Sequence, residues 1–157
     1  MNPLPSQNLS VLGLGGSGLQ QPSLIIPEAN SQGYFTLSVS GNGTAGRSWP
    51  LSKDVLGVPY QVPGGKTLKI ISVMFFSSTA NFSSQIMSAT STFAANVAAP
   101  VGAVYQGGSS GVRLYSAITA FAPVSYQFPL SIAANLWPGI EFQDTGAMGL
   151  MAVCKEV

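Results

Sequence analysis

The chain has 157 residues, a length that suits one domain built around a single hydrophobic core. Only 7% of its residues are charged, against about 25% in ordinary soluble domains, and the net charge is +1 with no histidine. Six scattered Lys and Arg residues exclude the basic stripe of a nucleic-acid-binding surface, and no apolar run approaches the roughly 20 residues of a membrane-spanning helix.

The low content of charged residues indicates what the surface of the protein contacts. A surface that other chains will cover avoids charge, because burying an unpaired charge is costly. The composition therefore predicts extensive contacts with other protein chains, and the alternative is a neutral, Ser- and Thr-rich β protein that stays monomeric. The first ten residues lack the basic start and apolar core of a signal peptide, so we expect synthesis in a cytoplasm.

Residues 1–33 are rich in proline and glycine, a composition that forms neither a regular helix nor a long strand. Disordered linkers are poor in large apolar residues, yet this segment contains many of them. We therefore predict an extended arm that lies on its own domain or on the next subunit. Its candidate contact residues are Leu9, Val11, Leu12, Leu14, Leu19, Leu24, Ile25 and Ile26.

Residues 34–157 are predicted to form one β domain. Residues 34–40 alternate, which places Phe35, Leu37 and Val39 on one face of a strand that ends in a turn at residues 41–43. Residues 67–76 are apolar on both faces toward their end, which is typical of a strand in the middle of a sheet. Their alternation places Leu68, Ile70, Ser72, Met74 and Phe76 on one face and Thr67, Lys69, Ile71, Val73 and Phe75 on the other.

Further strands are predicted later in the chain, where apolar or alternating stretches are separated by turn residues. The Ala-rich segment 87–104 favours a short helix or a loop, since residues 94–99 permit one helical turn before Pro100. Seven or eight strands with turns every 8 to 12 residues or so indicate an antiparallel β-sandwich. The further strands are 58–62, 82–87, 112–121, 126–132, 140–142 and 150–154.

Three glycine-rich stretches match the letters of catalytic or nucleotide-binding motifs. Residues 13–18 resemble a dinucleotide fingerprint, but Pro22 and Pro27 deny the helix that must follow. Residues 64–67 resemble the end of a phosphate-binding loop, but a strand follows where a helix is required, so we predict a turn. Residues 107–111 spell a nucleophile elbow, but the chain has no histidine base, so we predict a hairpin loop.

Catalytic and metal-binding chemistry has few candidate residues. Cys154 lies in an apolar run and is predicted to be a buried, inert thiol. Among the five carboxylates only Glu141 and Asp144 lie close in sequence, and they are the one candidate acid pair for a hydrolase. With one cysteine and no histidine, we predict no transition-metal site, no cofactor and no enzymatic activity.

Four aromatic residues lie beside proline or glycine and are predicted to be in loops. Aromatic side chains on loops stack on sugars or anchor protein contacts, because they offer a large area at a low entropic cost. The alternative is that they close the ends of the sandwich. These candidate contact residues are Trp49, Tyr60, Tyr105 and Trp137.

Two stretches that cover about a quarter of the chain carry a resemblance to a known group of proteins. Residues 60–73, YQVPGGKTLKIISV, resemble the strand entry of bacteriophage jelly-roll modules, which include capsid cement proteins and tail-fibre heads. Residues 137–142, WPGIEF, with the apolar segment 148–153, resemble their closing strands. The resemblance implies a jelly-roll sandwich, a homotrimer, and attachment to a virion through a terminal arm; it implies no catalytic residue.

The residues and the resemblance together predict a phage structural protein. We expect a capsid cement or decoration protein of the virion, made in the host cytoplasm, that stabilises the shell by contacting the major capsid protein or another virion protein. The arm of residues 1–33 would reach across the contact. The alternatives are a receptor- or glycan-binding head of a tail fibre or adhesin that uses Trp49 and Trp137, and, least favoured, a polysaccharide hydrolase.

Overall fold

The structure is a computed structural model, and it describes residues 33–53, 57–106, 113–117 and 119–157, except the side chain of Phe128. Nearly all of the predicted arm, including its eight apolar contact residues, lies outside the described residues. The glycine-rich segments 13–18 and 107–111 also lie outside them, so these predictions stay predictions.

Within the described residues the chain forms ten β-strands and no helix. The strands make two antiparallel sheets, so the predicted β-sandwich is confirmed. The strands are β1 (Tyr34–Gly43), β2 (Arg47–Pro50), β3 (Leu68–Ser77), β4 (Ser83–Ala89), β5 (Val97–Ala98), β6 (Val104–Tyr105), β7 (Arg113–Tyr115), β8 (Val124–Ile132), β9 (Trp137–Phe142) and β10 (Gly146–Glu156).

The pairing of the strands is nested, because the first half of the chain pairs in reverse order with the second half. The four-stranded sheet has the order β1-β10-β3-β8, and the other sheet has the order β5-β2-β9-β4-β6, with β7 also paired to β4. The nested pairs β1–β10, β2–β9, β3–β8 and β4–β7 therefore alternate between the two sheets.

The main core lies between the inner faces of the two sheets. Phe142 is at its centre, since its ring makes edge-to-face contacts with Phe82 and Trp49 at centroid distances of 5.9 and 5.8 Å. The sheets are also joined by a polar contact, in which the Tyr126 hydroxyl accepts from the Tyr115 N–H at 2.8 Å and donates to its carbonyl at 2.7 Å. Burial on both faces of the interface fixes the register of the long strands.

The predicted first strand is confirmed, but its predicted end is wrong. Leu37 and Val39 face the core, whereas the strand continues through Gly43, and the turn follows at residues 44–46. The reason is close packing, because a Cβ on Gly43 would lie 2.5 Å from the ring of Phe142. The glycine that suggested a turn instead makes room for a core ring.

The central position of β3 is confirmed, but the predicted alternation fails in its second half. Both neighbouring strands skip Ile71, so this residue forms a β-bulge and is 43% exposed. The extra residue exchanges the two faces. Val73 and Phe75 are therefore buried in the core, whereas Met74 points outward with a half-buried side chain.

The strand predicted for residues 112–121 is mostly absent from the described part of that range. Only Arg113–Tyr115 forms a strand. At the next residue a side chain takes the place of the backbone in the pairing, because the Ser116 hydroxyl accepts a hydrogen bond from the Phe82 N–H and donates one to the Thr79 carbonyl. Phe121 then adopts a left-handed conformation with φ of 59°.

Three further segments differ from prediction. Residues 58–62 form only a single bridge, between Ser52 and Pro59, because prolines interrupt the ladder. Of the two structures expected for the Ala-rich segment, the helix is absent and a loop is present over residues 90–96, where Asn96 has a φ of 60°; the short strands β5 and β6, which were not predicted, follow. Strand β2 was not predicted, since Pro50 follows only three strand residues.

The turn predicted at residues 64–67 is confirmed, with Lys66 N–H donating to the Pro63 carbonyl at 3.1 Å.

Candidate functional site

The outer face of the four-stranded sheet forms a wide surface in which three consecutive rows of residues carry no ionisable side chain. Strand pairing sets Ser38, Met151, Met74 and Ser125 side by side across the sheet as the central row. The rows on either side complete a surface that we call the open face. It consists of Thr36, Ser38, Ser40, Gly149, Met151, Val153, Ser72, Met74, Phe76, Ser125 and Gln127.

The large apolar side chains of the open face are half-buried and belong to neither of the two buried clusters of the domain. The centre of the face is therefore apolar, formed by Met74, Met151, Val153 and Phe76, and serine, threonine and glutamine surround it. Methionine side chains adapt to different partner shapes, and a charge-free apolar centre is typical of surfaces that contact protein.

Charge appears only at one end of this sheet face. The next row contains Tyr34, Lys155, Lys69 and Ser131. Lys155 lies over the ring of Tyr34 at 5.1 Å, and Lys69 donates to the Ser131 hydroxyl at 2.7 Å. The opposite end has the uncharged pair Asn42 and Ala147. The face is thus neutral in the middle and basic at one end.

The outer face of the six-stranded sheet is different, because the chain itself covers part of it. Met87 and Ala89 form a second buried cluster with Phe93, which comes from the Ala-rich segment. Phe93 lies so close to β9 that a Cβ on Gly139 would be 2.5 Å from its ring. The two sheets therefore differ in what covers their outer sides.

A cleft of about 390 Å³ lies beside the edge of β1. Trp49, Pro50, Pro59 and Phe93 supply its apolar walls, and residues 38–40 supply its floor. None of its described lining residues is charged. The cleft therefore suits an apolar group better than an ion or a phosphate.

Three of the four aromatic residues predicted to be in loops lie in strands, so that part of the prediction is wrong. Trp49 is in β2, Tyr105 in β6, and Trp137 begins β9. The ring of Trp49 packs over Gly41 and against Phe142, and its buried Nε1 has no hydrogen-bond partner within the described residues. Its ring therefore packs against the main core of the sandwich.

Tyr60 does lie in a loop, where it closes one end of the sandwich. Its ring is 5.5 Å from that of Phe35, and its hydroxyl donates to Glu156 at 2.6 Å. Lys53 lies over the Phe35 ring at 4.0 Å and is 3.6 Å from the same carboxylate. Burial, followed by the bond to Glu156, raises the pKa of Tyr60. This cluster is typical of a structural end contact.

The two carboxylates of the candidate acid pair make separate structural hydrogen bonds. Glu141 accepts from the Tyr105 hydroxyl and from Gln143 Nε2, the latter at 2.8 Å. Asp144 Oδ2 accepts from both the N–H and the hydroxyl of Ser83 at 2.8 Å. Burial and the bond to Glu141 raise the pKa of Tyr105 to about 12. Each acid thus links β-strands or their ends.

Cys154 lies in the main core, as predicted, and burial raises the pKa of its thiol to about 12. Such a thiol is neutral at physiological pH and is a poor nucleophile. Within the described ranges no three Cys, Asp or Glu side chains come together as metal ligands. No helix in the part of the chain that the structure describes is long and apolar enough to span a membrane.

Comparison with known proteins identifies no matching family model, no similar curated protein and no similar solved structure.

Proposed function

We propose that this chain is a structural subunit of a bacteriophage virion, of the capsid cement or decoration kind, and that it acts by contact rather than by catalysis. The observation that carries the proposal is the open face. A sheet face with an apolar centre and no ionisable side chain over three rows is suited to being covered by protein.

The strand order supports the same proposal. We infer a jelly roll from the four nested pairs, because this fold results when a long antiparallel hairpin is wrapped so that successive pairs alternate between two sheets. Jelly rolls are frequent in viral capsid proteins. The inference agrees with the resemblance of residues 60–73 and 137–142 to phage modules.

The proposed mechanism is stabilisation of the shell through buried area. Each square ångström of apolar surface removed from water contributes about 25 cal/mol, so several hundred square ångströms at each contact add several kcal/mol. Symmetry repeats that contribution at every equivalent position of a shell. The arm of residues 1–33 would add to the contact in the same way, with the major capsid protein as the partner.

A binding assay on empty capsid shells tests the proposal. The full chain should sediment with the shells and raise the temperature at which they open, because bound subunits stabilise only the assembled state. Met74→Lys should reduce occupancy, whereas Val101→Lys, which adds the same charge at a loop position that is 94% exposed, should not. A full chain that fails to bind shells contradicts the proposal.

The contribution of the arm is tested separately in that assay by removing residues 1–30. Reduced occupancy with an unchanged melting temperature of the β domain is the expected result, since the β domain has its own core. Undiminished occupancy would remove the arm from the proposal.

The alternative function, a receptor- or glycan-binding head, relied on Trp49 and Trp137. The packing of Trp49 against Phe142 leaves half-buried Trp137 as the better candidate for stacking on a sugar. This alternative predicts binding on a glycan array that Trp137→Ala abolishes without loss of folding.

A further inference from the structure

Among the described residues, the Ala-rich segment covers part of the outer face of the six-stranded sheet, whereas the apolar centre of the open face is half-buried and packs in neither buried cluster. Phe93 packs on the six-stranded sheet, whereas Met74, Met151 and Phe76 belong to neither buried cluster. We infer that the open face binds the open face of a second copy of this chain, in a two-fold pair whose strands run in opposite directions.

The absence of charge is the first argument for a second copy as the partner. When a face meets its own copy, every charge near the two-fold axis meets a like charge, so a self-contacting surface needs a neutral centre. The three rows of the open face fulfil this condition, because their side chains are all apolar, hydroxyl or amide groups. A face shaped for a charged partner would carry complementary charges instead.

The available area is the second argument. Four strands about 4.8 Å apart, with ten residues at about 3.3 Å per residue, present roughly 600 Å² on each copy. A pair would bury roughly 1,200 Å² in total, which reaches the lower limit of stable protein interfaces. The sheet face thus reaches the size that a specific pair needs.

The lysines determine the orientation of the pair. Two sheets packed face to face with their strands aligned have their two-fold axis in the plane of the contact, either close to the strand direction or close to the perpendicular across the strands. An axis along the strands would bring Lys69 and Lys155 of both copies to the same end, where four like charges repel. An axis across the strands separates the two basic ends, and each then faces the neutral Asn42 and Ala147 end of the other copy.

The same orientation makes the central row nearly self-facing. With the axis along the row of Ser38, Met151, Met74 and Ser125, each of these residues lies near its own equivalent. Two methionines meeting their equivalents give an adaptable apolar contact. A charge introduced at Met151 would therefore meet the same charge in the partner.

This inference rests on the proposed function, since it names the partner that covers the open face. Contact with the major capsid protein then falls to the arm and to the other surfaces of the paired domains. The inference also departs from the trimer that the resemblance to phage modules implies, because a flat face that contacts itself closes a pair. The molecular mass in solution distinguishes the two arrangements.

Sedimentation velocity of the full chain over a range of concentrations tests the inference. We expect a reversible dimer, and Met151→Lys should weaken it by about 30-fold or more, because two like charges would be buried without partners. Val101→Lys adds the same charge on an exposed loop and should leave the dimer unchanged. Thermal unfolding of each variant, measured at low concentration, verifies that it remains folded.

Mixing two variants gives the sharper readout. Met151→Lys and Met151→Glu should each be largely monomeric, and an equal mixture should regain a dimer of one of each, because opposite charges then meet across the axis. A native chain that stays monomeric, a trimer that Met151→Lys leaves intact, or a mixture no heavier than its components would overturn the inference. Shell binding tests the proposed function separately. A chain that is monomeric in solution but binds shells would contradict the inferred pair and leave the proposed function standing.

Discussion

Replacing Gly139 with alanine tests the difference between the two outer faces. A Cβ at this position would lie 2.5 Å from the Phe93 ring and 2.8 Å from the carbonyl oxygen of Trp49. The ring can move, but the carbonyl belongs to β2, which pairs with β9. Overpacking of this kind costs about 1 to 3 kcal/mol, and a less flexible unfolded chain offsets about 0.4 to 1 kcal/mol. We therefore expect a net loss of about 1 to 2 kcal/mol.

The measurement is thermal and urea unfolding, in which this loss lowers Tm by roughly 2 to 8 °C. Gly149→Ala is the matched control, because the three atoms nearest to its Cβ would all belong to the Phe76 ring, a side chain on the open face that can turn outward, and none to the backbone. It should change stability by less than about 1 kcal/mol. Equal losses for Gly139→Ala and Gly149→Ala, or a neutral Gly139→Ala, would refute the reasoning that, among the described segments, the Ala-rich one packs tightly on the six-stranded sheet while the open face has room to adjust.

Three smaller predictions concern single polar groups. Cys154 should not react with a thiol reagent at pH 8 in the folded chain, because burial raises the pKa of its thiol to about 12, and it should react fully in denaturant. Labelling of the native chain would contradict this. The pKa of Tyr105 is raised from 10.0 to about 12, so the stability that its neutral hydroxyl contributes is complete below pH 10 and is lost as the pH rises through 12. Tyr105→Phe should therefore flatten the pH dependence of the free energy of urea unfolding between pH 10 and 12. An unchanged slope would count against the bond to Glu141. Tyr126→Phe removes the hydroxyl that joins the sheets at Tyr115 and should lower the free energy of unfolding by about 1 kcal/mol, whereas no change would show that the link is unimportant.

Much of the fold followed from local patterns in the sequence. The alternation from Tyr34 and the apolar run from Leu68 predicted long strands, and both exist. The errors arise where tertiary contacts override the pattern. The bulge at Ile71 exchanges the faces of β3 because both of its neighbours skip that residue, and period-two reasoning cannot detect this.

The candidate surface could be predicted only in part. The low charge content predicts extensive contacts with other chains, which stays a prediction, and composition does not say where on the surface such contacts would lie. Strands β10 and β3 each alternate apolar residues on both faces, so the outward Met151 and Met74 look like core residues in the sequence. Only the pairing of four strands shows that these residues share one face. Trp49, by contrast, was predicted to lie in a loop beside Pro50, but it lies in a strand and packs against Phe142.

Oxidation of individual methionines at increasing protein concentration tests most directly whether the open face contacts protein. Met74 and Met151 are half-buried on that face, whereas Met87 is fully buried in the second cluster. Peptide mass spectrometry after brief peroxide treatment should show that Met74 and Met151 become protected as the chain associates, while Met87 is protected throughout. Oxidation of Met74 and Met151 at the same rate in dilute solution, in concentrated solution and on shells would contradict the account.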